Sequence, residues 1–322
     1  MRNALLGLCL ALVAAWAPPA SADGYPSKPI KMIVPFTPGT GIDNIARAVG
    51  AKMTERLHEA VVVENRTGVA GNLGAKMVGQ AVADGHTLLV TSNNLTINAH
   101  LYQDKDFDAM RDLVPLSIGA WGNSTLVARP NLKINTLAEL IAYAKANPSQ
   151  LTFASSGVGS PMHIQLEQFQ AATGLRFQHV PYKGTAPAAA DLMGDHVDLA
   201  FLATHTVAPN VLSGKLKAIA VGAQNRHRVL PNVPSFGELG LTNVSTDMWY
   251  GFLAPRKTPP EVLAKLNSEI VAILAMPDVK ASLEKTGLEV RATSADEMTT
   301  VLRKEYEDFG VVIRKTNMKA EQ

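Results

Sequence analysis

The 322-residue sequence predicts an α/β protein made of two similar halves. Three observations carry that reading. Short apolar runs of strand length alternate with stretches of helical spacing, the pattern of a parallel sheet covered by helices. Two glycine-rich stretches, PFTPGTG (35–41) and SGVGS (156–160), each lie between a strand and a helix, one in each half. The length fits two domains at roughly 100–200 residues each.

Residues 1–22, MRNALLGLCLALVAAWAPPASA, combine a basic Arg2, an apolar stretch from Ala4 to Ala17 and the small-residue ending Ala20-Ser21-Ala22. That is the pattern of a cleavable secretory signal peptide, so an exported protein is expected. The run IKMIV reads as a buried strand ending at Pro35. Ile42, Ile45, Ala46, Val49, Met53 and Leu57 then recur at helical spacing, which predicts a helix over 43–57. VVVEN (61–65), a helix near 71–83 and HTLLVTS (86–92) follow. Residues 93–115 read as loosely structured, with a strand near Ser124–Ala128 and a helix over Thr136–Ala146, Thr136 being its N-cap. A second series runs LTFAS (151–155), a helix from Pro161 to about Ala172, RFQHV (176–180), a helix near 185–193, VDLAFLA (197–203), a helix near 207–213 and LKAIAVG (216–222). The strand WYGFLAP from Trp249 and helices near 259–275, 277–286 and 295–315 close the chain. This tail needs a sheet to pack on, which predicts a return to the first domain. The expected organisation is 23–123 with 247–322 as domain 1 and 124–246 as domain 2, with crossovers near Gly122–Ser124 and Thr246–Trp249.

Several function classes drop out. Cys9 is the only cysteine and lies in the leader, which removes disulfides, zinc–thiolate sites and a cysteine nucleophile. A formal net charge of +2 supplies no electrostatic case for nucleic acid or an anionic membrane. Beyond residues 4–17 no apolar run approaches the ~20 residues that span a bilayer. His58, His86, His100, His163, His179, His196, His205 and His227 are scattered without metal-ligand spacing, so neither a metal nor a cofactor is expected. Asn44 stands where a dinucleotide fingerprint needs its third glycine, and there is no phosphate-loop motif. The G-x-S-x-G elbow of hydrolases is also missing, although Ser156 or Ser160 with His163 keeps a secreted esterase-like reading open.

The two glycine stretches carry the most chemistry. A helix N-terminus leaves up to four N–H groups unpaired and bears a charge of roughly +0.5, so it favours an anion, and glycine lets the ligand approach the backbone. If the halves face each other, both turns meet in one cleft. Ser160 reads as an N-cap and Pro161 as the first helical residue. Asp43, Asn93, Asn94, His163 and His205 lie beyond strand ends, where open α/β sheets bind ligands, but each also has a plain structural reading. Phe36 offers an apolar wall or packs under its loop.

IKMIVPFTPGTGID, VVVENRTGVAGNLGA, ADGHTLL, LTFASSGVGSPMH, HVPYKGTAPAAADLMGDHVDLAF, GKLKAIAV, LPNVPSFGELG and WYGFLAPRKTPPEVLAKLN occur in that order over about residues 25–315. This series resembles the Bug family, the extracytoplasmic solute-binding proteins of tripartite tricarboxylate transporters. The resemblance implies a type II periplasmic binding-protein fold, two α/β domains closing on a small organic carboxylate, which is then handed to integral membrane permease subunits. It implies a periplasmic monomer, no enzyme, or in a variant role the accessory of a membrane sensor kinase. It places Phe36, Thr37, Pro38, Gly39, Thr40, Gly41 and Asp43 on one wall of the cleft, and Ser155, Ser156, Gly157, Gly159, Ser160 and His163 on the other. Phe201, Thr204 and His205, with Asn93 and Asn94, would meet the rest of the ligand. Thr40 stands where many relatives carry glycine, which adds a methyl and a hydroxyl at the rim.

Overall fold

The computed structural model describes residues 24–320 apart from positions 103, 183 and 245. The leader at 1–22, with Cys9, lies outside the described residues. The chain opens with β1 (Ile30–Val34), α1 (Gly41–Leu57), β2 (Val61–Asn65), a 3₁₀ turn at Val69–Gly71, α2 (Asn72–Gly79) and β3 (Thr87–Ser92). β1 pairs in parallel with both β2 and β3. Met32, Ile33 and Val34 are wholly buried, as expected of a strand covered on both faces.

The segment 93–115 is more ordered than its sequence predicts. It holds α3 (Asn94–Leu101) and α4 (Ala109–Asp112), and the strand expected only near 124–128 is the far end of β4 (Leu113–Ala128), 16 residues long. α3 escapes a periodicity reading because Leu95, Thr96, Ile97 and Asn98 are buried in succession, leaving no polar face to set a stripe. Pro115, Gly119 and Gly122 break the strand signal in β4.

β4 serves two sheets. Leu113–Asn123 pairs with β9 (Asp247–Pro255), whereas Ser124–Ala128 pairs with β7 (Leu199–Ala203). Between these come α5 (Leu137–Ala146), β5 (Thr152–Ser155), α6 (Pro161–Thr173), β6 (Gln178–Pro181), α7 (Thr185–Met193), α8 (Thr204–Leu212) and β8 (Lys217–Val221). The first sheet has the order β2-β1-β3-β9-β4 and the second continues β4-β7-β5-β6, with β8 also on β4. We call the layers built on them lobe 1 and lobe 2. The backbone N–H of Ser124 donates to the Thr246 carbonyl at 3.3 Å, so the two crossing segments run side by side.

After β9 the chain adds α9 (Pro260–Leu274), α10 (Pro277–Lys285), β10 (Glu289–Val290) and α11 (Ala295–Thr316) to lobe 1. α11 starts on a Ser294–Glu297 capping box and buries Met298, Leu302, Phe309 and Ile313 along one side. It packs on β4 and α3 of lobe 1, and its later turns reach α6 of lobe 2. There Phe309 and Ile313 join Ile97 of lobe 1 and Ile164 of lobe 2 in one apolar cluster. A Cβ added at Gly159 of lobe 2 would stand 2.2 Å from Leu101 Cδ1 of lobe 1. On the opposite flank His227 Nε2 lies 3.0 Å from the Gly287 carbonyl and Arg228 lies 3.5 Å from Glu284. The lobes therefore touch on both sides of the crossing strands.

Candidate functional site

Both glycine turns end in the same local construction. In lobe 1 Thr40 caps α1, accepting the Asp43 N–H, and the Asp43 carboxylate reaches back to the Gly39 N–H at 2.9 Å. In lobe 2 Ser160 caps α6, accepting the His163 N–H, and His163 Nδ1 reaches back to the Gly159 N–H at 3.2 Å. Gly39 and Gly159 sit at matching positions with φ of +82° and +75°, a region open to glycine at little cost. Sequence distance forces this geometry: cap and third helical residue are close enough for reciprocal hydrogen bonds. At each helix start the first backbone N–H groups have no intrahelical acceptor, although in lobe 2 Pro161 supplies none and the Gly159 and His163 N–H groups are already engaged.

The third helical residue differs between the turns. Burial pulls the Asp43 carboxyl up, but hydrogen bonds from Arg47, Gly39 and Asn65 and the Arg47 charge outweigh it and hold it below the usual carboxylate range. A fixed negative charge thus stands behind the lobe 1 turn, with Arg47 Nε at 2.9 Å on its far side. Burial, and then the neighbouring His179, push His163 down to about 3, so it is a neutral imidazole whose Nδ1 is an acceptor. His163 stacks on His179 at 4.0 Å, and His179 Nε2 lies 2.7 Å from Ser155 Oγ, which in turn accepts the Gly157 N–H. Neutral side chains back the lobe 2 turn.

His205, at the start of α8 in lobe 2, projects against lobe 1. A Cβ on Gly41 would come within 2.7 Å of its Nε2, and its ring meets Tyr250 edge-on at 5.8 Å. Burial, then His227, lower His205 to about 4. Buried polar atoms normally find partners, so those without one identify places built to meet something else. Among the described residues seven such side-chain atoms occur, and five of them lie where the lobes meet: Asn93 Oδ1, Ser124 Oγ, Gln165 Oε1, His205 Nδ1 and Thr246 Oγ1. Glu305, one turn before Phe309 on α11, accepts from Trp249 Nε1 at 2.6 Å and from Thr96 at 3.3 Å. Burial above all, helped by Asp247 and Asp308, raises its carboxyl to about 7.

The residues expected from sequence sort accordingly. Thr37, Pro38, Gly39, Thr40 and Gly41 form the lobe 1 turn, and Ser156, Gly157, Gly159 and Ser160 the lobe 2 turn. Asp43 stands behind its turn, its carboxylate occupied by Gly39, Arg47 and Asn65. Phe36 packs under its loop against Gly71. Ser155 is fully buried behind the lobe 2 turn. Asn93 lies at the junction, its Nδ2 donating to the Asp247 carbonyl at 3.2 Å, while Asn94 accepts from Ser92. Thr204 braces the crossing strand, bonded to Thr125 and Asn123 at 2.8 Å each. The expectation for Phe201 is corrected: it is wholly buried among Phe153, Phe169 and Phe236. Strand alternation decides this, since side chains along β7 face opposite sides of the sheet and that of Phe201 falls in the lobe 2 core.

Sequence reasoning missed Gln165, Thr246, Ser124 and Tyr250 at the junction. Gln165 had a signal, a polar residue in the apolar run of α6, and Ser124 and Thr246 flank the two expected crossovers. The esterase pairing is not assembled. Ser160 Oγ is spent on its cap, Ser156 Oγ lies against Met162, and His163 Nδ1 faces the Gly159 N–H. Among the described residues no group of three or more His, Cys, Asp or Glu could hold a metal ion, and no helix is long and apolar enough to cross a membrane.

Comparison with known proteins agrees with this architecture. Residues 45–318 match the family described as tripartite tricarboxylate transporter family receptor. BugT of Bordetella pertussis is 34% identical over 318 residues, 98% of this chain and 97% of that protein. The structure of the periplasmic binding protein BugD superposes with a TM-score of 0.83 at 30% identity, covering 92% of this chain and all of BugD. An R. palustris protein solved with adipate gives a TM-score of 0.85 at 29% identity, covering 92% of this chain and 99% of its own. Two lobes sharing a crossing strand, a glycine turn at a helix start in each and similarity over nearly the whole length converge: the chain belongs to the tripartite tricarboxylate transporter receptors, the solute-binding family that includes the Bug proteins.

Proposed function

We propose that this chain is an exported, monomeric receptor that captures a small organic carboxylate between the two glycine turns and delivers it to the membrane permease subunits of a tripartite transporter. The observation that carries the reading is the gathering of buried, unpartnered polar atoms at the lobe junction, beside two helix starts that favour an anion. The adipate held by a structural neighbour supports the same ligand class.

The carboxylate sits mainly on the lobe 2 turn. Backbone N–H groups there are backed by neutral His163 and Ser155, whereas Asp43 opposes an anion at the lobe 1 turn. Lobe 1 contributes Thr40 and the Gly41 end of α1, and His205 closes the far wall. Because the ligand touches both lobes, it binds their closed arrangement better than an open one, and that difference drives closure. The permease then distinguishes loaded from empty receptor by shape.

The test is a thermal-shift screen of protein unfolded and refolded to strip carried-over solute, against mono-, di-, tri-, amino- and aromatic carboxylates. A ligand at about 100 times its Kd adds roughly 2.7 kcal/mol of stability. A selective rise with one acid supports capture. No rise with any acid, together with turnover of an ester, would replace the receptor reading by the hydrolase one.

A further inference from the structure

We propose that the junction cavity is a seat for a hydrogen-bond donor, so that the acid taken by this protein carries an ammonium or amide N–H group there and not a second carboxylate. The inference rests on the carboxylate-receptor reading and narrows its ligand class.

A cavity of about 10 Å³, room for one water-sized group, lies between the lobes, lined by Asn93, Pro161, Ile164, Gln165, Asp247 and Phe309. One wall is Pro161, the first residue of α6 immediately after the lobe 2 turn. Asn93 and Gln165 are each only 2% exposed, and each keeps a side-chain oxygen without a partner. The Asn93 amide is fixed in orientation, because its Nδ2 donates to the Asp247 carbonyl and a flip would set oxygen against oxygen. With the Gln165 amide turned over, Asn93 and Asp247 would still be acceptors.

The titratable groups named on and behind its walls are all carboxyls. Asp247 lines it, Glu289 is near enough to raise the Asp247 carboxyl after burial has done so, and Glu305 and Asp308 lie behind on α11. No Lys, Arg or His is among the lining residues. A second carboxylate would meet amide and carbonyl oxygens and an acid, with no donor among the charged side chains to offset its desolvation. A donor instead satisfies two buried acceptors that are expensive to leave unpaired. It would also join Asn93 of lobe 1 to Gln165 of lobe 2, and so favour closure.

Calorimetric titration of the refolded protein compares acids of matched length: succinate against succinamate, γ-aminobutyrate and L-asparagine, and adipate against ε-aminocaproate. At least one donor-bearing acid should bind ten-fold or more tightly than its dicarboxylate. Gln165→Glu should widen that preference and Gln165→Lys should reverse it. Asn93→Asp serves as a second variant if Gln165 changes lower the melting temperature of the unliganded protein. Tighter binding of the dicarboxylate in both sets, an unchanged ranking in Gln165→Lys, or an unchanged margin in Asn93→Asp, where the added carboxylate should widen it, would overturn the inference while leaving the receptor reading intact. Binding of no acid in either set would overturn the inference, and the receptor reading falls with it only if the wider carboxylate screen is blank as well.

Discussion

The two glycine turns share a plan and differ in charge. Each has a left-handed glycine, a hydroxyl cap and a third helical side chain that reaches back to the glycine N–H. In lobe 1 that side chain is an ionised Asp43 paired with Arg47, and in lobe 2 it is a neutral His163 stacked on His179. Equivalent backbone geometry therefore supports opposite electrostatic roles. One helix start keeps its positive end available to an anion, and the other has that end partly cancelled by its own carboxylate.

The sharpest way to break this difference is to exchange the charges. A unit charge about 6 Å from the bound carboxylate, at an effective dielectric near 20, is worth roughly 3 kcal/mol. His163→Asp should thus weaken carboxylate binding about 100-fold by titration calorimetry, whereas Asp43→Asn should strengthen it several-fold at some loss of stability. A gain in Asp43→Asn as large as the loss in His163→Asp would mean that the two turns share the anion evenly.

The lobes should also answer pH with opposite signs. His163 and His205 have pKa values of about 3 and 4 in the folded protein, against about 6.5 unfolded. The unfolded chain binds more protons in between, so their contribution is complete above pH 6.5 and is lost as pH falls towards 4. Glu305 in lobe 1 is raised to about 7, so its contribution is complete below about pH 4.5 and is lost as pH rises through 7. Glu305→Gln keeps an acceptor for Trp249 without that loss. It should gain up to about 3 kcal/mol over the parent protein at pH 8 and nothing at pH 4, read by denaturant unfolding. An equal effect at both pH values would show that Glu305 does not titrate in this window.

Closure gives a smaller effect. Gly41 has an ordinary helical φ, so alanine suits α1 itself, but its methyl would stand 2.7 Å from His205 Nε2 across the lobes. Gly41→Ala should cost about ten-fold in affinity with little change in the melting temperature of the unliganded protein. A substitution at Gly159 is a poorer probe, since its positive φ strains any side chain whether or not the lobes close. The smallest effect is that of the caps. Ser160→Ala should lower unfolding free energy by about 1 kcal/mol, and Thr40→Gly by only a few tenths. If Thr40→Gly leaves the ligand ranking unchanged as well, Thr40 acts as a cap and not as part of the rim.

Local chemistry made much of this legible before any coordinates. Glycines, caps and Pro161 announce the turns because helix starts are settled by residues within four positions of one another. The strands IKMIV, VVVEN and VDLAFLA are plain because burial on both faces demands unbroken apolar runs. α3 and the first half of β4 were not legible, since helix burial on all sides and a strand interrupted by proline and glycine both erase periodicity.

The order of the series, shared with the family, was enough to indicate a two-lobed receptor. Which side chains face the cleft was a different matter. The resemblance to the family places Phe201 at the ligand, and strand alternation puts its side chain in the core. Asp43 reads from sequence either as a ligand contact or as an acid favouring its helix start, and Arg47, Asn65 and Gly39 engage its carboxylate. Asn93, Gln165, Ser124, Thr246 and His205 come from five separate places in the chain and become one polar junction only when the lobes meet. Turn chemistry is short-range and is written in adjacent residues, whereas the pairing or isolation of a buried polar atom depends on long-range packing that no local pattern records.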